Sequence, residues 1–176
     1  MRRRLSAFTL AAPFFITALT GCSMTDKESQ ESPFAGTRTS RDASDAAEGV
    51  SSSIYDLIGV KGRASDSRPG VTECSEKDAD THFSVFHPWS FYPAAESDLE
   101  VAMERLRSEL PKNGWKIVEF GSDNSKNKNT TLIADNDENK TGVKITQRSK
   151  NNPPKLSIEV VSGCYKVPDG QTVERF

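Results

Sequence analysis

The stretch Thr81-His82-Phe83-Ser84-Val85-Phe86-His87-Pro88-Trp89-Ser90-Phe91-Tyr92 decides the reading of the fold. Phe83, Val85, His87, Trp89 and Phe91 fall on one side of a period of two. His82, Ser84, Phe86, Pro88, Ser90 and Tyr92 fall on the other. That period is the signature of an extended strand with one face buried. Proline has no N–H to give to a ladder, so Pro88 predicts an edge position or a bulge.

Downstream, Leu99, Ala102, Met103, Leu106 and Leu110 repeat at helical spacing and predict a helix over 98–113. Ser97 and Glu100 have capping-box spacing, Gly114 suits the left-handed residue after a helix, and Pro111 disturbs the final turn. Strands are expected over 115–120, 130–134, 143–147 and 156–161, the middle two forming a hairpin. Upstream, Ile54, Leu57 and Ile58 predict a short helix over 52–60, stopped at Gly59 or Gly62. The expected fold class is α+β. It has a mostly antiparallel sheet of four to five strands, one long helix packed on one face, and a short N-terminal helix.

Residues 23–49 are rich in Ser, Thr, Asp, Glu and Ala, with Met24 and Phe34 the only bulky apolar side chains. Such a composition predicts a disordered tether over 22–50 ahead of one domain over 51–176. Before it, Arg2-Arg3-Arg4 precedes a short apolar run, Leu5 to Thr20, which ends at Leu19-Thr20-Gly21-Cys22. A basic start, an apolar stretch under the roughly 20 residues of a membrane span, and a small-residue cleavage point describe an export signal over 1–21. The last four residues resemble the lipobox of bacterial lipoproteins. That resemblance implies cleavage before Cys22, acylation of its thiol, and anchorage on the outer face of the cell membrane. With Cys22 on lipid, Cys74 and Cys164 remain, and in an exported protein they are expected to form a disulfide.

His87-Pro88-Trp89-Ser90-Phe91-Tyr92, Leu110 to Gly121 and Val160-Val161-Ser162-Gly163-Cys164-Tyr165 are similar to segments of small lipoproteins of high-GC Gram-positive bacteria. The resemblance implies location and no activity.

The whole chain holds 23 basic and 25 acidic side chains. Losing Arg2, Arg3 and Arg4 with the signal leaves 20 against 25, a net charge of −5. Such a balance does not point to nucleic acid. Seven of the cations fall between Ser125 and Lys155 (Lys126, Lys128, Lys140, Lys144, Arg148, Lys150, Lys155) against Asp135, Asp137 and Glu138. They suit either the solvated face of a sheet or contact with anionic headgroups or wall polymers.

Several motifs fail on inspection. Ser122-Asp123-Asn124, Ser125 to Lys128 and Lys140-Thr141-Gly142 imitate the triplets of β-lactamases in the wrong order and within one polar stretch. Asp135, Asp137 and Asn139 begin like a calcium loop, but Lys140 stands where that loop needs glycine. His82 and His87 lie on opposite faces of one strand, so no metal or other cofactor is expected. The function expected is a non-enzymatic binding or accessory domain, with an envelope protein or wall polymer as partner and a binding surface at His87, Trp89, Phe91 and Tyr92. The alternative is an enzyme whose site gathers around His82 or His87. The oligomeric state is not legible.

Overall fold

The computed structural model describes residues 32–75 and 77–176. The expected cleavage and lipidation point, Cys22, lies outside them. Nine strands and two helices follow in order: β1 Phe34–Thr37, α1 Ser40–Ile58, β2 Gly62–Ala64, β3 Gly70–Glu73, β4 His82–Pro93, α2 Asp98–Glu109, β5 Lys116–Ser122, β6 Thr130–Asn136, β7 Thr141–Arg148, β8 Lys155–Ser162 and β9 Cys164–Lys166. A 3-10 turn, Leu110–Asn113, extends α2.

All nine strands belong to one sheet of order β1-β9-β4-β8-β7-β6-β5, with β2 and β3 also paired to β4. The pairing of β1 with β9 is parallel and the rest is antiparallel. This corrects the expected α+β fold of four to five strands: the protein is mostly β, with a mixed nine-stranded sheet. The four additional strands have only three or four residues each, too few for alternation to register.

The second correction concerns α1. It begins at Ser40, not near Ser52, so residues 34–50 form β1 and the first part of α1. The Thr39 hydroxyl caps it by accepting from the Asp42 N–H at 3.1 Å, and Gly59, at φ 64°, closes it. Its buried residues are Ser40, Ala43, Ser44, Ala47, Ser51, Ile54 and Ile58. The first half is built of small side chains, which bring the helix close to the sheet but contribute little to hydrophobic periodicity. The third correction concerns α2, where the Ser97 side chain makes no capping bond. The N–H groups of Asp98 and Leu99 bond instead to the carbonyls of Ala95 and Glu96 at 3.0 and 3.2 Å. A preceding turn thus meets the need that the capping box would have met.

Two apolar clusters result. The larger packs Ile54, Ile58 and the α2 stripe Leu99, Ala102, Met103, Leu106 and Leu110 onto Trp89, Phe91, Leu132, Ile145, Leu156 and Ile158. Each fully buried Leu or Ile stabilises it by about 1.5–3 kcal/mol. The smaller packs Ala43 and Ala47 onto Phe83, Val85, Tyr165 and Val167. The Cys74–Cys164 disulfide is present, with Cα atoms 5.9 Å apart, and lies beside this smaller cluster.

Candidate functional site

β4 is paired on both flanks, but opposite Pro88 one flank has no strand partner, so the proline holds a locally edge-like position, as its missing N–H predicts. β3 pairs with Phe83–Phe86 and β2 pairs with Phe91–Pro93, leaving a break opposite Pro88. Across the break, serines take the place of the ladder. The Ser67 hydroxyl donates to the Pro88 carbonyl. Ser65 donates its N–H to the Ser90 carbonyl at 2.8 Å, and its hydroxyl accepts from the Ser90 N–H at 3.0 Å. One proline therefore converts what would have been a single flanking strand into two short ones with a loop, residues 65–69, between them.

That loop forms one wall of a cleft of about 650 Å³; α1 forms the other, and His87 and Trp89 lie between. α1 contributes Glu48, Ser51, Ser52, Tyr55 and Asp56, and the loop contributes Ser65 to Arg68. The buried stripes of α1 and β4 each carry a polar residue where the two apolar clusters meet. These are Ser51 and His87, both buried, 2.8 Å apart from Oγ to Nδ1. The other ring nitrogen, Nε2, lies 3.1 Å from the Ser67 carbonyl. A carbonyl only accepts, so Nε2 carries the proton, and in the neutral ring Nδ1 accepts from the Ser51 hydroxyl. His87 thus ties helix, strand and loop together.

Trp89 is 7 % exposed, and its indole N–H has no acceptor among the described residues. Buried donors are nearly always paired, so this one is an unmet hydrogen bond on a residue that lines the cleft. The Tyr55 ring, 38 % exposed, packs 6.3 Å from Trp89 and 5.9 Å from Phe91 between centroids. The rim carries three carboxylates, Glu48, Asp56 and Asp66, against Arg68.

No protein-family model, curated protein or solved structure matches this chain.

Of the residues singled out from the aromatic strand, His87 and Trp89 line the cleft. Phe91 is fully buried in the core. Tyr92 is half-buried elsewhere, under Arg63, whose guanidinium carbon lies 4.5 Å from the ring centroid. His82 is remote from the cleft, its Nδ1 lying 3.0 Å from the Thr81 hydroxyl. Sequence reasoning missed Ser51 and Tyr55. The available signal was a serine one turn before Ile54 in the buried stripe, and it became visible only with the full length of α1.

The β-lactamase-like triplets are turn chemistry. Asp123 Oδ1 accepts from the Ser125 hydroxyl at 2.6 Å and from the N–H groups of Ser125 and Asn129, each at 3.0 Å. Its other oxygen accepts from the Asn129 amide at 3.1 Å. The Ser125 hydroxyl first, then the Asn129 side chain and the two N–H groups, hold the Asp123 carboxyl at about 2, below its ordinary 3.8. The folded-state value is depressed, so the loop's stabilisation is complete above the unfolded value and is lost as pH falls through about 2. Amide exchange of Asn129 is expected to accelerate in Asp123→Ala at neutral pH, and in the unaltered protein progressively as pH falls from about 3.8 to about 2. Protection already lost at neutral pH, or unchanged down to pH 2, would contradict this assignment. The Asp135–Asn139 run is the β6–β7 hairpin tip, where the Asn139 N–H donates to the Asn136 side chain at 3.0 Å. Among the described residues no cluster of three metal-binding side chains occurs.

Proposed function

We propose that this protein is an envelope lipoprotein whose domain binds a small polar molecule in the cleft between α1 and the 65–69 loop, without turning it over. The observation that carries the reading is the buried Trp89 N–H with no acceptor among the described residues. A ligand oxygen satisfies it once the Tyr55 ring shifts aside. A cleft of several hundred Å³ with aromatic lining and a few convergent polar groups is the usual form of a small-molecule site. Three rim carboxylates against one arginine disfavour an anionic ligand. They suit a neutral hydroxyl-bearing molecule or a cation that also offers an acceptor.

The Ser51–His87 hydrogen bond supports a second reading, a hydrolase with Ser51 as nucleophile and His87 as its base. Against it, Ser51 sits within α1, where backbone N–H groups are committed to the helix. An acyl-transfer site needs free donors to hold the developing oxyanion.

The test is the intact mass of the protein taken from its own membrane under non-denaturing conditions. Expected are an acyl mass on Cys22, the two-hydrogen deficit of the disulfide, and a small molecule that leaves on denaturation. The same protein is expected to be inert to a fluorophosphonate probe. Labelling of Ser51 would favour the hydrolase. A chain without lipid would remove the anchor.

A further inference from the structure

A second feature lies on the opposite face of the sheet, at the end where β8 begins. There β7 and β8 place Arg148 directly opposite Lys155. Like charges directly opposite across a ladder are destabilising, so this pair costs stability unless something negative lies between them. Lys155 Nζ lies 5.8 Å from the Tyr92 ring centroid and donates to the Ser90 hydroxyl at 3.0 Å. Arg63, directly opposite Tyr92 in the register, stacks on the same ring. Arg63, Arg148 and Lys155 thus occupy three strands at one end of one face. Among the described residues none of the three has a carboxylate within salt-bridge distance.

The cations continue past the strands. Lys150 donates to the Asn127 carbonyl at 3.2 Å, which joins the turn after β7 to the loop carrying Lys126 and Lys128. Two carboxylates are at hand. Asp123 is held by its own loop, and Glu96 lines the hollow that Arg63 and Tyr92 share with Pro93, Pro153 and Pro154. In a chain of net charge −2 this is a concentration of positive charge.

We infer that this basic end of the sheet binds a linear phosphate polymer, laid across Lys155 and Arg148 with Arg63 and Tyr92 at one end of its path. Arginine forks match phosphate oxygens two at a time, and cations on adjacent strands suit a chain with charge at every unit. A bilayer surface fits less well. The large hydrophobic side chains exposed among the described residues, Phe34, Tyr55, Val101, Val118, Val161 and Phe176, do not include one at this end, so no apolar group is there to insert. The chain also comes into the fold at the far end of β8, where the Pro33 carbonyl accepts from the Cys164 N–H at 2.8 Å. Eight residues of strand set the two ends about 25 Å apart. The placement of such a polymer at the envelope rests on the anchored reading, whereas the binding itself does not.

The experiment uses the full chain carrying Cys22→Ser, so that no lipid confuses the result, with inorganic polyphosphate as the probe and phosphatidylglycerol vesicles as a parallel arm. Binding to polyphosphate is expected to weaken steeply with salt. Changing Arg63, Arg148 and Lys155 together to Gln is expected to weaken it about tenfold or more and to lower the log–log salt slope by roughly 2. Changing Lys112, Lys116 and Lys140 to Gln removes the same charge elsewhere and is expected to leave binding within about twofold. The Arg148→Gln change alone is expected to raise Tm slightly in the absence of polymer, because it relieves the cross-strand repulsion. Equal losses from both triple variants would reduce the effect to net charge and overturn the site. Vesicle binding that is stronger than polyphosphate binding, and lost in the first triple variant, would assign the surface to the membrane. No binding to polyphosphate would end the proposal.

Discussion

Replacing Cys74 and Cys164 together with Ala is expected to lower the unfolding free energy by about 4.6 kcal/mol, the chain-entropy value for closing so long a loop. The two cysteines are 90 residues apart in sequence. The unfolded chain gains the freedom of more than half of the domain when the bridge is absent. Local architecture adds to the effect. Cys74 follows the last residue of β3, and Cys164 opens β9. The neighbouring residues Glu73 and Tyr165 both pair with Phe83 of β4, and Cys74 Sγ lies 3.4 Å from the Ser84 hydroxyl. The bridge therefore clamps β3 and β9 at one point of the central strand. β9 in turn is the only described strand that pairs with β1. Equilibrium urea unfolding gives the magnitude, and amide exchange gives the location: β1, β3 and β9 are expected to lose protection before β6 and β7. A loss under about 1 kcal/mol, or uniform loss of protection, would mean that the smaller apolar cluster holds this end of the sheet by itself.

β4, β6, β7, β8 and α2 were readable because their buried faces carry apolar side chains at a fixed period. Leu132 and Ala134, Val143 and Ile145, and Leu156, Ile158 and Val160 are all buried, and the positions between and beside them are more polar, except for Ile133 and Val161. α1 was half hidden for the opposite reason. Ala43, Ala47 and Ser51 are buried like Ile54, but small side chains leave almost no hydrophobic contrast in a sequence. Close packing of a helix on a sheet can require small residues, and this requirement is a property of the partner surface, not of the helix. The short strands are legible only through pairing: Gly62–Ala64 and Gly70–Glu73 exist because β4 offers an edge on either side of Pro88.

The same limit applies to the site. The aromatic strand was visible as a group, yet its members separate in space, Phe91 into the core, Trp89 to the cleft and Tyr92 to the basic end. Alternation assigns Tyr92 to the other face from Trp89 and Phe91. It does not say which buried residue keeps a polar atom without a partner. Ser51 and His87 are 36 residues apart, and nothing local to either announces the other. What brings them together is the run of α1 along β4, with a polar residue at the matching position of each stripe.

Trp89→Phe and Trp89→Ala are expected to separate binding from stability. Trp89 lies in the larger apolar cluster, so truncation to Ala is expected to cost about 3–5 kcal/mol, the range for deleting a large buried aromatic. Phenylalanine preserves most of the ring volume. Such a swap costs under about 1.5 kcal/mol in packing, and here it also removes an unpaired buried donor, worth about 1–3 kcal/mol of desolvation. The two effects oppose each other, so Trp89→Phe is expected to leave stability nearly unchanged or slightly raised. Binding behaves differently. If the ligand's oxygen is the missing acceptor, the phenylalanine protein folds normally and holds the molecule released in the mass measurement about tenfold more weakly, the value of one hydrogen bond. Thermal unfolding of the emptied protein gives the first quantity, and retention of the ligand through stepwise dilution gives the second. A phenylalanine variant as unstable as the alanine variant would show that the indole N–H already has a partner inside the fold. Unchanged retention would place the ligand against Tyr55 and the carboxylate rim instead, leaving the cleft as the site but moving its specificity outward to α1.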